Sequence, residues 1–213
     1  MNPRTFRIML ALLMGGLLGL TCFLLNSRMP VQASPGVLYV APGGDCGGAT
    51  PCYSSVQAAV DAASPGDEIR VAAGIYTGVQ NLPALNIPGY FTATQIVAIT
   101  KPVTIRGGYT TTNWNVSDPV ANPTTLDAQR AGRVFCIIGT QATLEGVRII
   151  NGDSSGLGGE LFFPPSTDEV IRNVGAGLYI LTSTVTISNT EITNNIAPPG
   201  QSESYYKVNF GGG

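Results

Sequence analysis

The chain has 213 residues, with 11 Lys and Arg against 13 Asp and Glu and no His, room for one ordinary domain or two small ones. Only 11% of residues are charged, and Gly (27), Pro (15), Thr, Val, Ile and Asn set the character, which favours an all-β fold over a helical bundle. A hydrophobic content of 44% is enough to bury a core and excludes a disordered chain.

The first element is not part of that fold. Arg4 and Arg7 precede an apolar run from Ile8 to Leu25, and Val31-Gln32-Ala33 supplies small residues where a signal peptidase cuts. Residues 1–33 are therefore read as an export signal cleaved after Ala33. The run is long for a signal, and the alternative is an uncleaved membrane anchor over residues 8–25. Either way the remainder leaves the cytoplasm. Three of the 11 basic residues (Arg4, Arg7, Arg28) would go with the signal, leaving 8 against 13 acidic ones, a balance of −5. Such a chain lacks a basic stripe for phosphates, so neither nucleic acid nor an anionic lipid surface is expected as a partner. The membrane enters only through the N-terminal segment, if it is kept.

Next come Cys46 and Cys52 in the Gly-rich loop "GGDCGGATPCY". In an oxidising compartment these two are expected to bond to each other. A zinc site would need four ligands, and no His is present. Ser54 and Gln57 of "SSVQAAVDAAS" have the spacing of a capping box, and Val56, Ala59, Val60 and Ala63 fall on one face, predicting a helix over 54–63. "PGD" (65–67) is a turn, "EIRVAAGIY" (68–76) a strand, and strands follow at 95–99, 103–109 and 124–128, with loops at 77–94 and 110–123. Cys136, in "RVFCIIG", is a small buried hydrophobe.

From here the sequence repeats. "RVFCIIGTQATLEGVRIING" (133–152) aligns with "AGLYILTSTVTISNTEITNN" (176–195), with Phe135 on Leu178, Leu144 on Ile187, Arg148 on Glu191, Ile149 on Ile192 and Asn151 on Asn194. Each copy holds three short β-prone pieces joined by bends, as a coil of parallel strands requires, with each turn lying about 4.8 Å from the one below. Leu144 and Ile149 would then stack under Ile187 and Ile192, Arg148 would pair with Glu191 outside, and Asn151 under Asn194 would form an asparagine ladder at a corner. One turn takes about 20–25 residues, so the longer offset implies an insertion. It is legible as 152–175, and a second follows at the same corner over 196–210. "GGG" (211–213) stands where "GAG" began the preceding turn, and the expectation is a chain cut within a turn, the N-terminal part of a longer protein.

The stretch from "YVAPGGDCGGATPCYSSVQAAVDAASPGDEIRVAAGIYTG" through "ITKPVTIRGGYTTTNW", "NPTTLDAQRAGRVFCI" and "LEGVRIING" resembles bacterial secreted proteins of the pectin-lyase-like superfamily. "TEITNN … GGG" is similar to the repeats of polymorphic outer-membrane and adhesin-like proteins. The resemblance implies a right-handed parallel β-helix, a solenoid, with an N-terminal cap about 37–76 including the helix, and rungs about 95–195. It says little of activity, since the superfamily holds lyases, hydrolases, esterases and surface proteins alike.

Lyases of the superfamily use clustered Asp side chains, Ca²⁺ and a basic residue, and its hydrolases use paired carboxylates, commonly with a Gly-His-Gly segment. This chain has no His and no Asp-Asp or Asp-x-Asp spacing. Asp127, Arg130 and Arg133 of "LDAQRAGR" form the nearest charged cluster, read as a salt-bridged corner. Asp67-Glu68 is a solvated pair before a strand, and Asp153 with Asp168-Glu169 could hold Ca²⁺ outside the cell, although no cofactor is called for. Trp114 and, in the two insertions, Phe162, Phe163, Tyr205 and Tyr206 are candidate contacts for a glycan or protein partner, with packing of the loops as the competing reading. "NVS" (115–117) is a glycosylation sequon. The sequence thus points to a non-catalytic secreted or cell-surface module binding an extracellular polysaccharide or surface protein. The alternative is the N-terminal part of a polysaccharide lyase or glycoside hydrolase whose catalytic turns lie beyond residue 213.

Overall fold

A computed structural model describes residues 34–82, 92–158 and 174–197; all structural statements concern these. The expected signal or anchor, and Phe162, Phe163, Asp168, Glu169, Tyr205 and Tyr206, lie outside them.

Parallel β-structure dominates, and the β-branched composition suits strands. Strands β1 (Val37–Val40) and β2 (Cys52–Tyr53) are followed by helix α1 (Val56–Ala62), then β3 (Glu68–Ala72), β4 (Gly74–Tyr76), β5 (Gln80–Asn81), β6 (Thr94–Ile99), β7 (Val103–Tyr109) and β8 (Thr124–Asp127). The remainder is β9 (Arg133–Ile138), β10 (Gln141–Glu145), β11 (Val147–Ile150), β12 (Leu178–Leu181), β13 (Thr184–Ser188) and β14 (Glu191–Thr193). They build three sheets, ordered β13-β10-β7-β3-β1-β2, β14-β11-β8-β4 and β12-β9-β6-β5. From β7 onward the chain visits the three in strict rotation. All pairings between named strands are parallel except the short β5–β6 contact, where Gln80 opposes Gln95.

Register follows the expected alignment residue for residue. Leu144 lies beside Ile187, Arg148 beside Glu191, Ile149 beside Ile192 and Phe135 beside Leu178. Extended upstream, the same rows read Leu38, Ile69, Ile105, Leu144, Ile187 in the first sheet and Tyr76, Leu126, Ile149, Ile192 in the second. As far as Leu144 and Ile149 these rows meet Val97 and Phe135 of the third sheet in one hydrophobic core, with Ile192 partly buried against it. Each fully buried Leu or Ile there contributes about 1.5–3 kcal/mol.

Three local expectations need correcting. The segment 68–76 is two strands, not one: Ala73 donates to Tyr109 O and Gly74 to Pro123 O, so the chain passes from the first sheet to the second. Gly74 sits at φ 149, and a Cβ there would come within 2.5 Å of Pro42 Cγ, so only glycine fits. Second, Ser55 and not Ser54 caps α1, its side chain accepting from Ala58 N at 3.2 Å. Third, Gln57 does not close a capping box; it is buried and turned to β6. The predicted apolar face, Val56, Ala59, Val60 and Ala63, is buried in the core.

Gln57 explains why a seven-residue helix can sit where a strand would otherwise be needed. Beyond its contact with β5, the edge of β6 carries the Ala98 main-chain groups. Gln57 Oε1 accepts from Ala98 N at 2.6 Å and Gln57 Nε2 donates to Ala98 O at 3.3 Å, reproducing a ladder pair with one amide. Lys101 fixes the other end of α1 by donating to the carbonyls of Asp61 and Ala63 at 2.9 and 2.7 Å, neutralising the helix C-terminus.

Candidate functional site

The charged side chains of the outer faces pair from strand to strand. On the first sheet Glu68 accepts from Arg70 at 2.8 Å and from Arg106 at 3.3 Å, and Arg106 reaches Glu145 at 2.8 Å. The Glu145 bond holds the Arg106 guanidinium above its ordinary value, against the pull of partial burial. Glu68, expected as a solvated acid, is thus the hub of this row. Its neighbour Asp67 receives Gly36 N at 2.7 Å and Ser64 N at 2.8 Å, tying the turn to the start of the domain. On the second sheet Arg148 and Glu191 pair at 3.2 Å as expected, each about half exposed, so this contact is worth under about 1 kcal/mol.

The "LDAQRAGR" corner is not salt-bridged. Asp127 Oδ1 accepts from Gln129 N and from Asn151 Nδ2, both at 2.9 Å, while Arg130 donates to Gly152 O at 3.4 Å. Gln129 and Arg130 have φ of 51° and 63°, a left-handed bend that an Asx turn supports. Arg133 points elsewhere. It is wholly buried, donating from Nε to Val174 O (3.1 Å), from Nη1 to Thr92 O (2.8 Å) and from Nη2 to Gly158 O (2.6 Å), with Cζ 5.1 Å from the Tyr179 ring centre. Desolvation pulls its pKa below the ordinary value.

Asparagines do stand at corners, with Asn151 at φ 54° and Asn194 at φ 55°. Their amides do not bond to each other as a ladder. Asn151 reaches down to Asp127, and the following residue of the next copy, Asn195, makes the cross-links: its Oδ1 accepts from Gly152 N at 2.7 Å and its Nδ2 donates to Ile149 O at 3.0 Å. Just beyond, Asp153 and Ile196 form a parallel bridge, with Ile196 N donating to Gly152 O and Ser154 N to Ile196 O. Asp153 and Ile196, near the starts expected for the two insertions, therefore lie side by side on adjacent passes of the chain.

Trp114 is half-buried in a nook made by the disulfide loop. Its ring centre is 5.0 Å from Tyr39 and 5.9 Å from Tyr109, and its Nε1 donates to Cys46 O at 3.0 Å. Arg70 caps the cluster, donating to Trp114 O with its Cζ 5.5 Å from the Tyr109 ring centre. Cys46 and Cys52 are bonded to each other, as expected, and the bond suits an oxidising, extracellular setting. Cys136 is buried in a satellite cluster with Ala93 and Tyr179, where desolvation pushes its thiol up to about 12. Asp153 is held below the ordinary carboxylate value by the hydroxyl and backbone N–H of Ser155. Among the described residues no three Cys, Asp or Glu side chains converge on a point. Nor is any described helix long and apolar enough to cross a membrane.

A hollow of about 630 Å³ on the second-sheet side lies between Pro119-Val120 and the Arg148–Glu191 pair. Sequence reasoning missed it, because loop 110–123 carries Val120 out to 88% exposure without any periodic signal. No family model, curated protein or solved structure matches the chain.

Proposed function

We propose that this chain is a right-handed parallel β-helix of the pectin-lyase-like kind, an exported and non-catalytic module that binds an extracellular polysaccharide or surface protein through insertions at one corner. The Asp153–Ile196 bridge carries the reading, because it sets the starts of two insertions next to each other on adjacent strand passes. Their aromatic content, Phe162 and Phe163 in one and Tyr205 and Tyr206 in the other, is the chemistry that stacks on sugar rings or fills a protein pocket. The rotation of strands through three parallel sheets supports the helical architecture, and the disulfide supports export. The non-catalytic reading is supported by the outer charges, which are engaged in holding strands together.

A glycan array and a pull-down from surface-protein extracts test it. Binding should be lost when Phe162 and Phe163, or Tyr205 and Tyr206, become Ala, and kept when the exposed Ile75 does. Unsaturated products released from polygalacturonate or alginate in the presence of Ca²⁺ would replace this reading with the lyase alternative.

A further inference from the structure

Two loop stems that are distant in sequence, one at Leu82 and Thr92 and the other at Gly158 and Val174, share one anchor. Thr92 belongs to the first stem and Gly158 and Val174 to the second. The carbonyls of these three residues are the acceptors of Arg133 Nη1, Nη2 and Nε. Direct main-chain bonds close the same junction: Thr92 N donates to Leu157 O at 2.9 Å, Val174 N to Gly158 O at 3.3 Å and Leu82 N to Ala93 O at 2.8 Å. Beneath lies the satellite cluster of Ala93, Cys136 and Tyr179, packed by Leu82 and Val174.

We propose that Arg133 is a positioning residue that couples these two loop stems, so that loosening one stem loosens the other. The coupling follows from donor geometry. A guanidinium holds its N–H groups in one rigid plane, and each stem supplies acceptors to a different edge of it. Releasing one stem strands buried N–H groups of a desolvated cation and frees the plane to tilt off Tyr179, which weakens the bonds to the other stem. Lysine has a single point of charge and cannot span the three carbonyls. The inference stands apart from the binding reading, and its test requires no ligand.

Hydrogen–deuterium exchange on the full chain decides it, comparing peptides over 79–94 and 155–176 with control peptides over 141–150 and 184–193. Arg133→Lys should raise exchange in both stems by about tenfold or more, the loss of charged hydrogen bonds, with the controls unchanged. Val174→Pro removes the bond from Val174 N to Gly158 O and trims the packing of Val174 on the satellite cluster, so Val174→Ala, which keeps the bond, is the control; exchange over 79–94 should rise in the Pro variant well beyond the Ala one. In an Arg133→Met background that spread should disappear. If Val174→Pro loosens its own stem and leaves 79–94 at wild-type rates, the coupling is refuted. Should the Arg133 variants lose the control protection too, the Val174→Pro result in the wild-type background stands as the decisive one.

Discussion

Replacing Gln57 with Leu should cost far more stability than its surface-like residue type suggests. The substitution keeps the volume and helix propensity but strips Ala98 of both main-chain partners, now at 2.6 and 3.3 Å, in a place where Ala98 is 5% exposed. Leaving a buried donor and acceptor unmet costs about 1–3 kcal/mol each. Burial of the added apolar surface offsets about 1 kcal/mol of that, giving a net loss of about 1–5 kcal/mol. For a domain of this size each kcal/mol moves the melting temperature by about 2–4 °C, so a fall on the order of 8 °C is expected in calorimetry. Gln57→Glu adds a pH signature. Its carboxylate would face Ala98 O and the Asp61 carboxylate that Gln57 Nε2 now serves at 2.7 Å. The protonated acid can still donate, so that variant should be most stable at low pH and lose stability as pH rises through its elevated folded pKa. A Gln57→Leu melting point within 2 °C of wild type (a ceiling of about 1 kcal/mol) would refute the idea that one amide substitutes for a strand.

Further outcomes can be checked on the same material. Asn151→Gly should cost about 1 kcal/mol, for the lost Asp127 bond alone, and Asn151→Ala about 2 kcal/mol, because alanine also pays for φ 54°; denaturant melts that rank Ala at or above Gly would contradict the corner assignment. Cys136, buried with its thiol pushed up to about 12, should resist iodoacetamide at pH 8 in the native chain and react on unfolding, as mass spectrometry would report. Cys46→Ser with Cys52→Ser should lower stability by about 2 kcal/mol and loosen the Trp114 nook, read as a red shift and quenching of indole fluorescence. Arg148→Ala, at a pair about half exposed, should change stability by less than about 1 kcal/mol.

The registers of β9 to β14 were legible because the apolar residues that must stack recur at one fixed offset, so a single alignment sets Leu144 against Ile187 and Ile149 against Ile192. Their corners were legible for the same reason, since asparagine tolerates a left-handed bend. What stayed hidden depends on main-chain acceptors, which leave no mark in a sequence. Arg133 was read with Asp127 on proximity along the chain, whereas it bonds to carbonyls brought in from two stems distant in sequence. Gln57 was read as a local cap for want of any sign that Ala98, 41 positions away, needed it. Nor does the sequence mark Asn195, rather than Asn194, as the residue that makes the cross-links. Strand β1 (Val37–Val40) was too short, and too close to a Gly-rich loop, to stand out.

The closure of the Gly158–Val174 stem, where Val174 N meets Gly158 O at 3.3 Å, has an engineering consequence. Whatever spans 159–173 begins and ends at nearly one point in space, so a foreign peptide cassette of quite different length can be spliced there without asking the sheets to move. The longer the graft, the smaller the added closure cost per residue, which grows only as the logarithm of length. The same tolerance would let evolution exchange recognition elements at this doorway while the strands beneath keep their pairing.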